Sequence, residues 1–242
     1  MLVKACLNGS RKPGDHPALP LKPRQLAADA RQAVAAGARA LHVHPRGPSG
    51  AETLEQEACD EAVLAIRQAC PGVPVGLSTA AWIEPDPARR ATSIGSWTER
   101  PDFVSVNFSE TGAIDLCRLL QALGIGIEAG IWTAGDADTL LASGFARHLV
   151  RALVEPQDAE PLEAEATADR ISVVLDRADV RPRVYHGYGI ATWRVIEYAF
   201  DSGWDVRVGL EDTLQMPDGS VAASNGELVA AVVRMAEKRG LL

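Results

Sequence analysis

Two histidines stand two residues apart in Leu41-His42-Val43-His44, and Arg207-Val208-Gly209-Leu210-Glu211-Asp212 lies far downstream. In an extended segment residues i and i+2 share a face, so His42 and His44 point one way while Leu41 and Val43 point the other. Two imidazoles aimed at one point suit a transition-metal cation. A carboxylate would complete a three-ligand site with positions left open for substrate, and Glu211 is the candidate. Two histidines and a glutamate suit Zn²⁺, while ligand type alone leaves Fe²⁺ and Mn²⁺ open. The pattern has meaning only if the fold carries residue 211 back beside residues 42 and 44.

The elements that would do so recur along the whole chain. Apolar runs read as strands at 3–7, 40–44, 73–77, 103–107, 125–129, 148–153, 183–186 and 205–209. Amphipathic or Ala-rich helical stretches follow them at 23–36, 54–69, 86–98, 113–122, 136–143, 162–177, 191–202 and 224–238. Asp136 is expected to cap the helix that opens at Ala137, and Gly144 to end it. Eight strand–helix units spaced by roughly 30 residues predict an α/β fold of the (β/α)₈ TIM-barrel type, one domain over residues 1–242. An open doubly wound sheet is the structural alternative. In a barrel, sites gather at the C-terminal ends of the strands, where His42 and His44 lie. Strands eight, one and two are then neighbours. Arg207, Gly209 and Glu211 would share the inward face of an extended strand eight, with Val206, Val208 and Leu210 packed outward.

Composition narrows the class. Of 242 residues, 47% are hydrophobic and only 5% aromatic, which favours tightly packed helices over an aromatic-rich sandwich. A net charge of −8 argues against a nucleic-acid surface. Cys6, Cys59, Cys70 and Cys117 show no CxxC spacing and read as reduced thiols. The first residues are too short an apolar run for a secretory signal, and no run reaches transmembrane length. The expectation is a soluble, cytoplasmic protein without a nucleic-acid or membrane partner.

Further residues could act beside the histidines. Arg207 pointing inward needs an acidic partner, Asp212 or Glu128. The result is either a structural ion pair or an Arg–Asp unit with a carboxylate poised as base. Glu128, late on an apolar strand five, is a candidate catalytic acid or the partner of a neighbouring Arg. Ser78 and Thr79 end strand three, and Asn107 and Ser109 end strand four. All four offer hydrogen bonds to a substrate, or simply terminate strands. Arg11 follows strand one and either faces the substrate mouth or sits in solvent. His16, in a Pro-rich loop, and His148, at the wrong end of a strand, are expected to be structural or surface residues. His186 lies in Tyr185-His186-Gly187-Tyr188-Gly189 before a helix, a turn that would fit an anionic cofactor.

With these residues in place, the sequence resembles the beta-keto acid cleavage enzyme family. The matching pieces are Leu7-Asn8-Gly9, Pro17-x-x-Pro20-x-x-Pro23 and Ala36-Gly37-Ala38. His42-Val43-His44-x-Arg46, Gly50, the 207–212 run and Ser224-Asn225-x-x-Leu228-Val229 complete the set. The resemblance implies Zn²⁺ on His42, His44 and Glu211. It also implies a transferase reaction in which a β-keto acid and acetyl-CoA give acetoacetate and a new acyl-CoA. Asp212 paired with Arg207 would promote deprotonation, and the family's strand-three Ser and strand-five Glu fall on Ser78 and Glu128. Asn107 or Ser109 takes the strand-four position, and a homo-oligomer (dimer or tetramer) is implied. Members that handle amino substrates carry an acidic residue shortly after Asn-Gly, where this chain has Ser10-Arg11-Lys12. Arg11 there would favour an anionic or polar substrate tail. The chain also stops at Gly240-Leu241-Leu242 without the family's usual C-terminal tail. Two other readings of the same residues stay open: a metal-dependent class II aldolase or lyase acting without CoA, and a barrel that only binds a small acid.

Overall fold

The computed structural model describes residues 1–242. Its strands are β1 (Val3–Cys6), β2 (Ala40–Val43), β3 (Val75–Ser78), β4 (Phe103–Asn107), β5 (Gly126–Ile131), β6 (Arg151–Val154), β7 (Arg183–Tyr185) and β8 (Asp205–Val208). Its helices are α1 (Pro23–Ala35), α2 (Gln56–Ala69), α3 (Pro87–Gly95), α4 (Ala113–Leu123), α5 (Ala134–Ser143), α6 (Pro161–Asp176), α7 (Ala191–Asp201) and α8 (Asn225–Lys238). All strands pair in parallel and in chain order, and β1 pairs with β8 (Lys4 beside Arg207) to close the barrel. Closure excludes the open doubly wound sheet. No helix is long and apolar enough to cross a membrane.

Alternation along each strand sorts the barrel into two environments. Val3 and Ala5 of β1 with Leu7 just after it, Leu41 and Val43 of β2, and Val206 and Val208 of β8 with Leu210 just after it all join the apolar core beneath the helices. Their neighbours fill the barrel interior, and low in it the packing is ionic. Lys4 pairs with Glu128, and Arg151 Nη1 lies 3.4 Å from the other Glu128 oxygen. The Phe103 ring lies beside both cations, 5.9 Å from Lys4 Nζ and 4.9 Å from the Arg151 guanidinium carbon. Gly76 makes room for that ring, since a Cβ there would strike it. Burial works against a charged Glu128, but Lys4 and Arg151 outweigh it and hold its carboxyl below the usual range.

Three expectations are corrected. Helix α5 is capped by Thr133, whose hydroxyl accepts from the Asp136 N–H, while Asp136 closes the capping box from inside the first turn. Strand β6 begins at Arg151, so His148 is an exposed turn residue before the strand rather than its first residue. Strand β8 stops at Val208, and Glu211 projects from the turn that follows. Three polar contacts at one buried side chain hold that turn. Asn225 Oδ1 accepts from the Leu210 N–H at 2.7 Å, and its Nδ2 donates to the Leu7 carbonyl at 2.8 Å and to Asp29 at 2.6 Å. The first turn of α8 thereby ties the ends of β1 and β8 to α1.

Asp29 at this node is pushed up to about 6 by burial, against the pull of the Asn225 amide. A carboxyl raised above its unfolded value of about 3.9 stabilises the fold at low pH, and that stability fades as pH rises through the folded value. Between pH 8 and 5 the wild type is expected to gain on the order of 1 kcal/mol relative to Asp29→Asn. Urea unfolding midpoints across that range check the sign.

Candidate metal and substrate site

At the C-terminal mouth of the barrel, ligand atoms of His42, His44 and Glu211 lie within 4.8 Å of one another. His42 Nε2 and His44 Nε2 are 3.2 Å apart, and Glu211 Oε1 lies 3.5 Å from His44 Nε2 and 4.0 Å from His42 Nε2. A cation about 2.0–2.2 Å from each donor fits a triangle of that size. Donor chemistry agrees with this. His44 Nδ1 contacts Glu52, so a proton on that nitrogen leaves the Nε2 lone pair facing the centre. Glu211 Oε2 has no hydrogen-bond partner despite being buried.

The backbone that positions these donors is specified residue by residue. Strand β2 ends at Val43, yet the Asn8 side chain carries the ladder one step further. Its Nδ2 donates to the His44 carbonyl and its Oδ1 accepts the His44 N–H, both at 2.9 Å. Gly9 follows in the left-handed region at φ +52°, and a Cβ on it would run into the Glu211 side chain. Gly209 passes against the Cys6 carbonyl with no space for a side chain. Arg46 donates to the carbonyls of Gly9 and Arg11 and so straps the β1 loop over the site.

Arg207 is 2% exposed and faces two carboxylates: its Nη2 donates to Glu211 Oε1 at 2.7 Å and to Asp212 Oδ1 at 2.6 Å. Of the two partners sequence allowed, it takes Asp212; Glu128 belongs to Lys4 and Arg151. Burial disfavours a charged Glu211, but Arg207 and the two histidines hold its carboxyl well below the usual range. The same carboxylate, with Glu52, overcomes the burial of His44 and lifts it to about 9. His42 goes the other way, pushed well down by burial.

From Asp212 a chain of polar groups crosses to the opposite wall. His186 Nδ1 is 3.3 Å from Asp212 Oδ1, His186 Nε2 is 3.0 Å from Glu155 Oε2, and the Trp132 indole N–H donates to Glu155 Oε1 at 2.9 Å. Burial, then Arg207, pushes His186 down to about 3, so this imidazole is neutral. Burial pushes Glu155 up to about 7, against the pull of Arg207 and Trp132. In the glycine-rich turn after His186, the Gly189 N–H donates to the Asp212 carbonyl at 2.8 Å and so ties this turn to the one after β8.

Between these walls lies a cavity of about 260 Å³. Ser78, Asn107, His42, His44, Arg207 and Glu211 line it among the residues singled out in the sequence. Ser109 is exposed and outside it, and Ser105, on the same face of β4 as Asn107, lines it instead. Thr79 donates its hydroxyl to the Ser105 carbonyl at 2.6 Å. Arg11 is half-buried with its Nε on the Leu210 carbonyl, and Ser10 is the lining residue of that loop. Glu128 lies deeper, inside its ion pairs. His16 is structural: its Nε2 meets the Ala222 carbonyl at 2.8 Å and its Nδ1 accepts the Ala18 N–H. Sequence reasoning missed Lys4, Glu52, Glu155 and the two indoles, Trp82 and Trp132. A lysine within Val3-Lys4-Ala5-Cys6 was the readable signal, since that strand is otherwise apolar. Trp82 and Glu155 follow strand ends, where site residues gather.

Several known proteins resemble this chain over nearly its whole length. The sequence profile of the family described as "beta-keto acid cleavage enzyme" matches residues 1–241. The 3-keto-5-aminohexanoate cleavage enzyme of Fusobacterium nucleatum is 26% identical, over 99% of this chain and 92% of its own. The 3-oxoadipate:acetyl-CoA acetyltransferase of Cupriavidus necator is 22% identical, over 99% and 89%. Among solved structures, ObcA in binary complex with oxaloacetate superposes with a TM-score of 0.74 at 18% identity, a likeness of fold. It covers 93% of this chain, which spans 64% of the length of that one.

Zinc titration of the apoprotein is the direct measurement on this centre. Removing one of three ligands, His44→Ala is expected to abolish stoichiometric uptake. Glu52→Gln, which loosens the ring's outer partner, is expected to weaken affinity by about 10–100-fold. Unchanged uptake in His44→Ala would place the cation elsewhere.

Proposed function

Because this chain belongs to the beta-keto acid cleavage enzyme family, we propose that it exchanges acyl groups between a β-keto acid and acetyl-CoA, releasing acetoacetate and a new acyl-CoA. In this reading it is a carbon–carbon-bond-cleaving acyltransferase. The observation that carries it is the convergence of His42, His44 and Glu211 beside the Arg207–Asp212 pair, at the open end of a barrel whose lower interior is packed. Zn²⁺ is the cation these ligands suit, and when bound it would supply Lewis-acid polarisation of the keto acid's oxygens.

The chain's own groups account for the proton and carbon steps. Asp212 is completely buried and oriented by Arg207, so its carboxylate is held in one place with its negative charge balanced. It takes the proton from the carbon between the keto and carboxylate groups. The carbanion forms a bond to the acetyl carbonyl carbon of acetyl-CoA, and the CoA thiolate leaves. That thiolate then bonds to the carbonyl carbon of the original keto group. The bond between this carbon and the central carbon breaks, and its electron pair stays on the central carbon. Asp212 returns its proton there, giving acetoacetate and the new thioester, with every atom accounted for. Ser78 and Ser105 line the same cavity as hydroxyl donors for oxygens that gain charge during these steps. Glu128 acts from below as part of the fixed field of the barrel, through Lys4 and Arg151.

The zinc-loaded protein mixed with β-keto acids and acetyl-CoA is expected to release acetoacetate; product formation independent of acetyl-CoA would favour an aldolase or lyase. Asp212→Asn should keep zinc and fold but lose turnover by roughly 10²–10⁴-fold, the span of a lost general base. Full activity in that variant would put the base elsewhere.

A further inference from the structure

Across the barrel from the two histidines, two acceptor oxygens meet over a glycine. Asn107 ends β4, Gly130 lies on β5, and Glu155 follows β6. A Cβ on Gly130 would sit 2.5 Å from Asn107 Oδ1 and 2.5 Å from Glu155 Oε1. The two oxygens are therefore within about 5 Å of one another, a gap that one donor group can bridge. Their orientation is fixed by neighbouring side chains. Asn107 Nδ2 donates to Glu110 at 2.8 Å, which turns the amide oxygen the other way. The Trp132 indole N–H donates to Glu155 Oε1 and His186 Nε2 meets Oε2, which fixes the carboxyl and leaves Oε1 a second lone pair. Both residues are more than nine-tenths buried and both line the cavity.

The charge balance of the cavity points the same way. Arg207 is the only lysine or arginine that lines it, and Glu211 and Asp212 already face that guanidinium. Arg11, the cation that sequence placed at the mouth, is turned to the Leu210 carbonyl. A carboxylate tail reaching Gly130 would meet a carboxyl group and an amide oxygen, and the one lining cation, Arg207, is already faced by Glu211 and Asp212.

We propose that Asn107, Glu155 and the side-chain-free face of Gly130 form the tail subsite, which selects β-keto acids with a hydrogen-bond-donating tail, hydroxyl or ammonium, and rejects those ending in a carboxylate. This rests on the reaction proposed above, with the acid's reacting end at the histidine wall and its tail pointing to the opposite strands. Glu155 is held near its titration point, so an ammonium can draw it to the charged form and a hydroxyl can bond to either form.

The test is a specificity panel on the zinc-loaded protein: 3-oxohexanoate, its 5-hydroxy and 5-amino derivatives, and 3-oxoadipate, each with acetyl-CoA. The donor-tailed acids should exceed both 3-oxohexanoate and 3-oxoadipate in kcat/KM by about ten-fold or more. Glu155→Gln should collapse the ratio for the 5-amino acid by removing the charge, and Gly130→Ala should collapse it for both donor-tailed acids by placing a methyl between the two oxygens without replacing either. The Gly130 variant keeps the experiment decisive if the Glu155 variant does not fold. A wild-type preference for 3-oxoadipate, or a ratio unmoved in both variants, overturns the subsite. Turnover of no acid at all would overturn the reaction instead. Equilibrium binding of the same four acids without acetyl-CoA then decides the subsite by the same ratio.

Discussion

The pairing of β8 with β1 is the constraint on which everything else depends. Residues 42 and 211 are far apart in the chain, and they meet because Lys4 pairs with Arg207 on one side of β1 and Cys6 with His42 on the other. Backbone packing at that seam is tight enough to exclude side chains. Gly209 sits against the Cys6 carbonyl and Gly9 against the Glu211 side chain. The Asn8 and Asn225 amides then do what strand hydrogen bonds would do if the strands ran longer. The geometry of the His42–His44–Glu211 cluster is thus set by main-chain contacts at a sheet seam, with side chains added last.

A second constraint is charge. The interior of this barrel holds several buried ionised groups, and they sit in sets of opposite charge. Lys4, Glu128 and Arg151 form one set, and Arg207, Glu211 and Asp212 another. Such pairs contribute little net stability, because desolvation offsets attraction, but losing one member strands the other at a cost of about 3–5 kcal/mol. What they give the site is fixed orientation: a carboxylate bound by a guanidinium at two points cannot rotate away from the cavity.

Much of this was legible in the sequence, and the reasons are specific. Strand and helix periods predicted the barrel, and β4 and α8 fell within one residue of their observed ends, because these runs are strongly patterned. His42, His44 and Glu211 were readable because two-residue spacing on a strand and barrel adjacency are both geometric rules. The expected extended course of strand eight was wrong for a local reason: Asn225 captures the Leu210 N–H, and the chain turns there. Ser109 and Arg11 illustrate a harder limit. Both follow strand ends as site residues do, yet which way a loop side chain faces depends on contacts from distant residues, such as the Leu210 carbonyl that holds Arg11. Glu155 and His186 became a pair only through the register of β6 against β7, which sets Val154 beside Tyr185 and which no local pattern encodes.

The ionic layer around Phe103 has a consequence for traffic. Lys4 and Glu128 are wholly buried, Phe103 is 1% exposed and Arg151 7%, so the barrel has no second exit. In the exchange proposed above, two substrates and two products would share a single doorway. An acid bound against the histidines would be sealed in behind the larger thioester until that partner had backed out. A dead-end chamber would thus make the small acid first in and the small product last out.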